Sequence, residues 1–336
     1  MARLGLGVAV EKLRLAQPFR ISGYVFTHSD VVVVTLRDGE HEGTGEGGGV
    51  YYLGDDVAHM LGEIEAARIA IEAGVTRQEL RSIMPPGGGR NAVDCALWDL
   101  EGAKAGVPVW QLAGQTPPKP LRTTFTLGAD TPETMAAGAR AYRDARSIKV
   151  KLTGQLDLDI ARVKAIRSAR PDVWLGVDGN QGFAIDELGR LTEVLEEQDI
   201  SLLEQPLARG READLDDFRS PVPIAGDESL LTLDDVAGAV GRFAVVNIKL
   251  DKCGGLTEGL MMAAEARRLG LGVMVGNMVG TSLAMAPAFV LGQGCDIVDL
   301  DGPTFLAEDR KPSVTYADGM ITAGPEVWGS GKVAVA

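Results

Sequence analysis

Cysteine and histidine are scarce in this sequence, and each shortage excludes a chemistry. The three cysteines, Cys95, Cys253 and Cys295, form an odd, widely spaced set that matches neither a disulfide framework nor a zinc-binding pattern. The three histidines, His28, His41 and His59, all lie near the start of the chain. A histidine-based proton transfer or a histidine-rich metal centre in the remaining sequence is therefore excluded. Basic residues are also in deficit, with 33 Lys and Arg against 47 Asp and Glu and a net charge of -14. That balance argues against a nucleic-acid partner, because phosphate binding needs clustered cations. Long apolar runs are missing as well. Residues 270–294 are almost uncharged, but glycines, Asn277, Ser282 and Pro287 interrupt them. A membrane span needs about 20 predominantly apolar residues, so a buried strand, a loop and a buried helix fit better. The run Leu4 to Val10 meets Glu11 and Lys12 at once and is too short for a signal peptide. The expectation is a reduced, cytoplasmic protein without a membrane partner, for which a homo-oligomer remains open.

The chain of 336 residues has two textures. Residues 2–13 and 31–37 read as strands, 45–56 as a glycine-rich loop, and 55–73 and 91–105 as helices, the second with Asn91 as its N-cap. Pro117, Pro118 and Pro120 mark a boundary. Beyond it, apolar strand-like runs recur at 122–128, 148–152, 173–179, 202–206, 222–228, 244–250, 272–278 and 296–302, with amphipathic stretches between most of them. Alternating buried strands and helices imply a parallel sheet. Eight repeats at this spacing predict an α/β fold of the (β/α) barrel type, in preference to an open doubly wound sheet. No early G-x-G-x-x-G follows a strand, which counts against a dinucleotide fold. Residues 312–336 break the repeat and are expected to return to the N-terminal part. The expected division is 1–117, completed by 312–336, and a barrel at 118–311.

Polar residues gather at the predicted strand ends, where a barrel carries its active site. In I-K-V-K-L, Lys149 and Lys151 share one face of a strand, and Ile148, Val150 and Leu152 share the other. Two inward ammonium groups would each depress the other's pKa, which suits a lysine base; an exposed strand face is the plainer alternative. Asp178, Glu204 and Asp227 end three successive strands, 26 and 23 residues apart. Converging carboxylates repel unless a cation lies between them, and all-oxygen donors select Mg²⁺, or else Mn²⁺. Asn180 and Glu228 would lie just outside that shell. Lys249 follows 22 residues after Asp227 and shares a face with Asn247. Barrel geometry places its strand across from 148–152. Bases on two sides of a substrate can remove a proton from one face and return it to the other, while a metal stabilises the enediolate charge. Asp299 and Asp301 share a face after the last strand and would suit a substrate ammonium, unless they belong to a solvated Asp-Gly turn.

These residues together resemble the enolase superfamily, muconate-lactonizing subgroup, and within it the dipeptide epimerases of the L-Ala-D/L-Glu type. The resemblance rests on RNAVDCALWDL (90–100), IKVKL, VDGNQ (177–181), LLEQPL (202–207), AGDES (225–229), VNIKLDKCGGLTEGL (246–260) and DLDGPTFLA (299–307), and covers nearly the whole chain. It implies a modified TIM barrel, (β/α)₇β, with an N-terminal α+β capping domain. It implies an Mg²⁺-dependent isomerase acting on a dipeptide by two-base 1,1-proton transfer, with Lys151 and Lys249 as acid/base residues and Lys149 assisting. By the same resemblance Asp178, Glu204 and Asp227 bind the metal, and Asp299 and Asp301 hold the dipeptide's ammonium.

One departure bears on the substrate. Epimerases specific for Ala-Glu resemble one another in carrying an arginine in a capping loop, near residue 23 here. This chain has Gly23 and Tyr24 there, with Arg20 just before the loop and V-Y-Y-L at 50–53 in the second loop. An acidic side chain would lack a bidentate partner. Tyr24, Phe26, Tyr52 and Met278 are expected to form an apolar, aromatic lining for the second residue of an L-Ala-X dipeptide. The alternatives are an L-Ala-D/L-Glu epimerase proper, an N-acylamino acid racemase, a cycloisomerase or an o-succinylbenzoate synthase. Outside that group stand a glycoside hydrolase using Glu204 and Glu228, which leaves the lysines without a role, and a non-catalytic metal-binding barrel.

Overall fold

The computed structural model describes residues 3–21 and 24–329. Its first sheet is an antiparallel meander of β1 (Gly5–Ile21), β2 (Tyr24–Asp38) and β3 (His41–Gly48). Three helices follow, α1 (Val57–Glu72), α2 (Arg77–Ile83) and α3 (Gly88–Ala105). Val32, Val34 and Leu36 of β2 form a core with Met60, Ile64 and Ile71 of α1 and Val93, Leu97 and Leu100 of α3. Alternation in the strand and spacing of three to four in the helices bring these apolar faces together.

Two local expectations are corrected here. Residues 45–48 are not loop but the end of β3. Their glycines serve close packing: a Cβ on Gly43, Gly45 or Gly47 would collide with the α3 backbone at Ala96, Ala92 or Gly88. Only a bare backbone lets the helix lie this close to the strand. Asn91 is not the N-cap of α3; Gly87 is, and Asn91 is buried inside the helix. Its amide donates to Asp251 Oδ1 (2.9 Å) and to the Glu46 carbonyl (3.3 Å).

After a short α4 (Val109–Leu112) and β4 (Leu121–Arg122), the strand–helix repeat begins. It runs β5 (Phe125–Leu127), α5 (Pro132–Ala141), β6 (Ser147–Lys151), α6 (Leu156–Ala169), β7 (Trp174–Asp178), α7 (Ile185–Glu197) and β8 (Leu202–Glu204). Then come β9 (Ile224–Gly226), α8 (Leu233–Val236), β10 (Val245–Lys249), α9 (Leu250–Cys253), α10 (Leu256–Arg268), β11 (Gly272–Gly276), α11 (Ser282–Gly292) and β12 (Ile297–Val298). All eight expected strands appear, and they pair in chain order from β5 to β12 in one parallel sheet. The edges approach each other where Thr124 N donates to Val298 O (3.0 Å). The fold is the expected (β/α) barrel with an α+β unit on it.

Strand alternation sorts the side chains. Ile148, Val150 and Leu152 join a core with Met135 of α5 and Val163 and Ile166 of α6. Inside the sheet, Leu202, Ala225, Val245 and Met274 close the barrel beneath the polar strand ends, with Trp174 and Ile297 packed against them. The uncharged segment 270–294 is β11, a loop and the fully buried α11. No helix among the described residues is long and apolar enough to cross a membrane. Past the barrel, β13 (Thr315–Ala317) pairs with β14 (Met320–Thr322), and β14 pairs with β4. Farther on, Trp328 Nε1 donates to Thr44 O of β3 (2.8 Å), and Gly329 N to Asp99 Oδ1 of α3 (3.1 Å).

Two glycine substitutions should move stability in opposite directions. Gly45→Ala forces a methyl group into the α3 backbone and should lower unfolding free energy by about 1–3 kcal/mol. Gly62, on the open face of α1 with nothing near its Cβ position, should gain about 0.5–1 kcal/mol as alanine. Urea unfolding midpoints of the two variants against the unmodified protein check both signs.

Candidate active site

The polar strand ends meet inside the barrel mouth. Lys151, Asp178 and Glu204 stand in register on β6, β7 and β8, and Asp227 and Lys249 follow after β9 and on β10. All five are buried. Lys151 Nζ donates to Asp178 Oδ2 (2.6 Å), and Lys249 Nζ to Asp227 Oδ2 (2.6 Å). Lys149, one pleat below Lys151, reaches across the barrel. Its ammonium donates to Glu204 Oε1 (2.9 Å) and Asp299 Oδ2 (3.0 Å) and lies 3.1 Å from Asp178 Oδ2. Strands β6 and β10 are four places apart in the eight-strand order, so Lys151 and Lys249 face each other across the mouth.

The remaining expected residues fall around this centre. Asn247 Nδ2 donates to Glu204 Oε1 (2.9 Å), and Asn180 Nδ2 to Glu228 Oε1 (3.4 Å). Asp299 also accepts from the Thr124 hydroxyl, and Asp301 Oδ2 accepts from Thr126 N (2.6 Å). Both are buried at the seam between β5 and β12, and neither borders the main cavity.

Lys252 was not anticipated from the sequence. It sits on α9, one turn after Lys249, and is fully buried. Its ammonium donates to Asp227 Oδ1 (2.5 Å) and to the carbonyls of Asp227 (2.5 Å), Leu230 (3.1 Å) and Asn247 (3.1 Å). The signal in the sequence was its place in L-D-K-C-G-G, a lone cation at helical spacing from an inward lysine.

Charge governs this cluster. Six buried carboxylates (Asp178, Glu204, Asp227, Glu228, Asp299 and Asp301) surround four ammonium groups (Lys149, Lys151, Lys249 and Lys252). Burial alone would lower Lys149, but Asp299, Glu204 and Asp178 hold it well above the ordinary lysine value. Lys249 is likewise raised: burial opposes, and Asp227, Glu204 and Glu228 together outweigh it. The expected mutual depression of Lys149 by its neighbouring lysines is therefore corrected; carboxylates dominate its surroundings. Asp178 is held below the usual range because Lys151 and Lys149 overcome its burial, and Asp227 is held down by Lys249 and Lys252. Glu204 goes the other way, pushed up to about 8 by burial and by Asp178. Glu228 is raised to about 7 by burial and Asp227, and Asp301 to about 7 by burial and Asp299.

The donors fit a hard divalent cation. One carboxylate oxygen each from Asp178, Glu204 and Asp227 lies within 4.8 Å of the others. Buried acceptors nearby, Glu228 Oε2, Asn180 Oδ1 and Asn247 Oδ1, have no hydrogen-bond partner. Oxygen-only donors with surplus negative charge match Mg²⁺ better than a softer ion.

Above the centre lies a cavity of about 650 Å³. Lys151, Asp227, Glu228 and Lys249 border its floor, and the first sheet and the Tyr51–Leu53 turn supply its roof. Phe26 and Tyr52 line it, as does Met278 from the barrel side, together with Leu15, Phe19 and Tyr51, which were not foreseen. Phe26 stacks edge-on to Tyr51 (5.3 Å between centroids), and Tyr51 to Tyr52 (5.2 Å). No arginine lines the cavity among the described residues, and Arg20 is exposed on β1. The Tyr24 side chain and Gly23 lie outside the described residues.

Residues 5–114 match the mandelate racemase/muconate lactonizing enzyme N-terminal domain, and residues 134–331 match the enolase C-terminal domain-like family. The chain belongs to the enolase superfamily, in its mandelate racemase/muconate lactonizing enzyme branch. This superfamily member is 39% identical to the L-Ala-D/L-Glu epimerase of Escherichia coli K12, across 91% of this chain and 96% of that protein. It is 42% identical to an Agrobacterium tumefaciens enolase family member with homology to dipeptide epimerases, solved with sodium and L-Ala-L-Glu. That superposition has a TM-score of 0.92 and covers 97% of this chain and 100% of the other. An Enterococcus faecalis dipeptide epimerase, solved with Mg and L-Leu-L-Tyr, is 29% identical with a TM-score of 0.89, covering 98% and 99% of the two chains.

Removing Lys252 tests how far this branch member depends on its buried charges. Lys252→Met strips Asp227 and three carbonyls of a shared donor and should cost about 3–5 kcal/mol of stability, as breaking a buried ion pair generally does. Guanidinium unfolding with no added metal measures that loss.

Proposed function

We propose that this protein is a cytoplasmic, Mg²⁺-dependent dipeptide epimerase that inverts the α-carbon of the second residue of an L-Ala-X dipeptide. The observation that carries the reading is the pair Lys151 and Lys249, facing each other across one cavity with three carboxylates between them. The same division of labour assigns residues 118–311 to catalysis and 1–117, with 312–336, to capping.

Asp178, Glu204 and Asp227 would hold Mg²⁺, which would polarise a substrate carboxylate and offset the negative charge that raises Lys149 and Lys249. The protein's residues perform the proton transfer. One of Lys151 and Lys249, as the neutral amine, removes the α-proton. The other, as the ammonium, delivers a proton to the opposite face, so one C–H bond breaks and one forms with no net gain or loss. Lys149 stays charged, held by Glu204 and Asp299, and supplies a fixed positive field beside the reacting carboxylate. Asn247 and Asn180 keep Glu204 and Glu228 oriented. Asp299 and Asp301 are proposed to receive the α-ammonium at the β5–β12 seam, beyond the cavity floor, where a cation would relieve the repulsion that, with burial, has raised Asp301 to about 7. A roof over bound substrate would displace water and strengthen each of these interactions.

The preferred second residue is apolar or aromatic. Leu15, Phe19, Phe26, Tyr51, Tyr52 and Met278 offer it carbon surface, whereas Asp30, Asp55 and Asp56 on the same walls repel a carboxylate.

Two measurements follow. In D₂O with Mg²⁺, an L-Ala-X library followed by proton NMR should show exchange at the α-carbon of X, abolished by EDTA. Lys151→Ala and Lys249→Ala should each reduce racemising turnover by at least about 10³-fold, in line with loss of a general acid or base. Absence of exchange across the library with Mg²⁺ present would sink the epimerase reading. Separately, kcat/KM for L-Ala-L-Phe should exceed that for L-Ala-L-Glu by at least about tenfold, roughly one buried side-chain contact. A preference for the glutamyl dipeptide would overturn the substrate assignment while leaving the chemistry intact.

A further inference from the structure

The start of α1 carries a second cluster of potential metal ligands, away from the barrel mouth. His59 and Glu63 are one turn apart on α1, and Asp55, just before the Asp56 N-cap, stands beside them. Asp55 is buried, and its Oδ2 accepts from Gly88 N at the start of α3 (2.9 Å). Its Oδ1 lies 2.9 Å from His59 Nδ1. The tautomer that donates Nδ1–H to Asp55 leaves a lone pair on Nε2, and Nε2 faces Glu63 Oε1 at 3.3 Å. In the free protein a proton on His59, favoured by its bond to Asp55, satisfies this contact, and a cation can take that proton's place. The Glu63 side chain is only 10% exposed, and its Oε2 is buried without a hydrogen-bond partner. His59 is 53% exposed, which leaves the outer side open to water.

We propose that His59 and Glu63, with Asp55 behind them, form a second divalent-cation site of the zinc type, distinct from the carboxylate centre in the barrel. With bonds of about 2.0–2.2 Å to nitrogen and oxygen, a 3.3 Å separation corresponds to an angle of roughly 105°, near tetrahedral. Asp55 plays the part a carboxylate takes behind a metal-bound histidine: it fixes the tautomer and turns the ring. An imidazole donor selects zinc, nickel or copper over magnesium, whereas the oxygen-only barrel centre does the reverse. The two sites therefore sort different ions. Asp55, Asp56, Val57 and Ala58 also border the substrate cavity, so an ion at this site ties the roof to α1 and α3.

Calorimetric titration of the full protein with Zn²⁺, in Mg²⁺ sufficient to saturate the barrel centre, tests the site. The unmodified protein should bind one equivalent of Zn²⁺. His59→Ala and Glu63→Gln should each weaken that binding by at least about tenfold, with Mg²⁺ affinity unchanged. Nitrogen-15 spectra of the unmodified protein provide a check that needs no variant: Zn²⁺ should shift the His59 ring signals and leave His28 and His41 in place. No Zn²⁺ binding in excess Mg²⁺, binding indifferent to both substitutions, or shifts at His28 or His41 instead of His59 would each overturn the proposal. None of these outcomes depends on the epimerase reading.

Discussion

Six carboxylates and four ammonium groups share the mouth of one barrel, and the rest of the structure follows from holding them there. Buried charges persist only when paired and well bonded. Each lysine is accordingly anchored: Lys151 on Asp178, Lys249 on Asp227, Lys149 between Glu204 and Asp299, and Lys252 on Asp227 and three carbonyls. Parallel strands suit this task. Their register sets Lys151, Asp178 and Glu204 side by side, and their opposite faces anchor the same backbone in the apolar core. The surplus of negative charge then specifies a cation, and the cation's place among the carboxylates specifies where a substrate carboxylate would be activated.

The capping unit is fastened to the barrel by the same economy of buried polar groups. Along α3, Arg90, Asn91, Asp94 and Trp98 form one face. Arg90 donates to the carbonyls of Gly254 and Cys253, Asn91 to Asp251, and Trp98 to Thr257, while Asp94 accepts from Thr257. Asp251 also accepts from Gly48 N (2.8 Å). These bonds end on α9 and the start of α10, the residues immediately after Lys249. On the other side, Glu46 accepts from Thr281 N (2.7 Å) and from Arg310 (3.2 Å), and Arg310 donates onward to Glu11 (2.6 Å). The element that roofs the cavity is thereby tied to the segment that aims one of the proposed bases.

Much of this was legible in the sequence because barrel strands impose a strict alternation. I-K-V-K-L can only place its lysines together and its aliphatics together, and acids that recur at the strand repeat can only converge. Other features depend on tertiary contacts that no local pattern records. The glycines of β3 looked like loop residues, since the helix positions that require them lie roughly forty to fifty residues away in sequence. Asn91 had the composition of a cap but is used for a bond to Asp251 across the inter-unit contact. The lysines were expected to lower one another; the number of acids facing them appears only once the strands close into a ring. Lys252 was hidden because its four acceptors come from two segments, the turn at Asp227 to Leu230 and the strand β10.

The contact between β3 and α3 has a further consequence. Where Gly43, Gly45 and Gly47 meet the helix, two backbones touch with no layer of side chains between them. Such a joint has no rotamers to rearrange, so it cannot slip by small degrees as an ordinary interdigitated interface can. The sheet and helix move as one piece, and that piece is keyed to the segment after Lys249. Room to reshape the cavity is left at the two rims that carry Phe26 and Tyr51–Tyr52. There, replacements alter the shape of the chamber without disturbing the distance between Lys151 and Lys249.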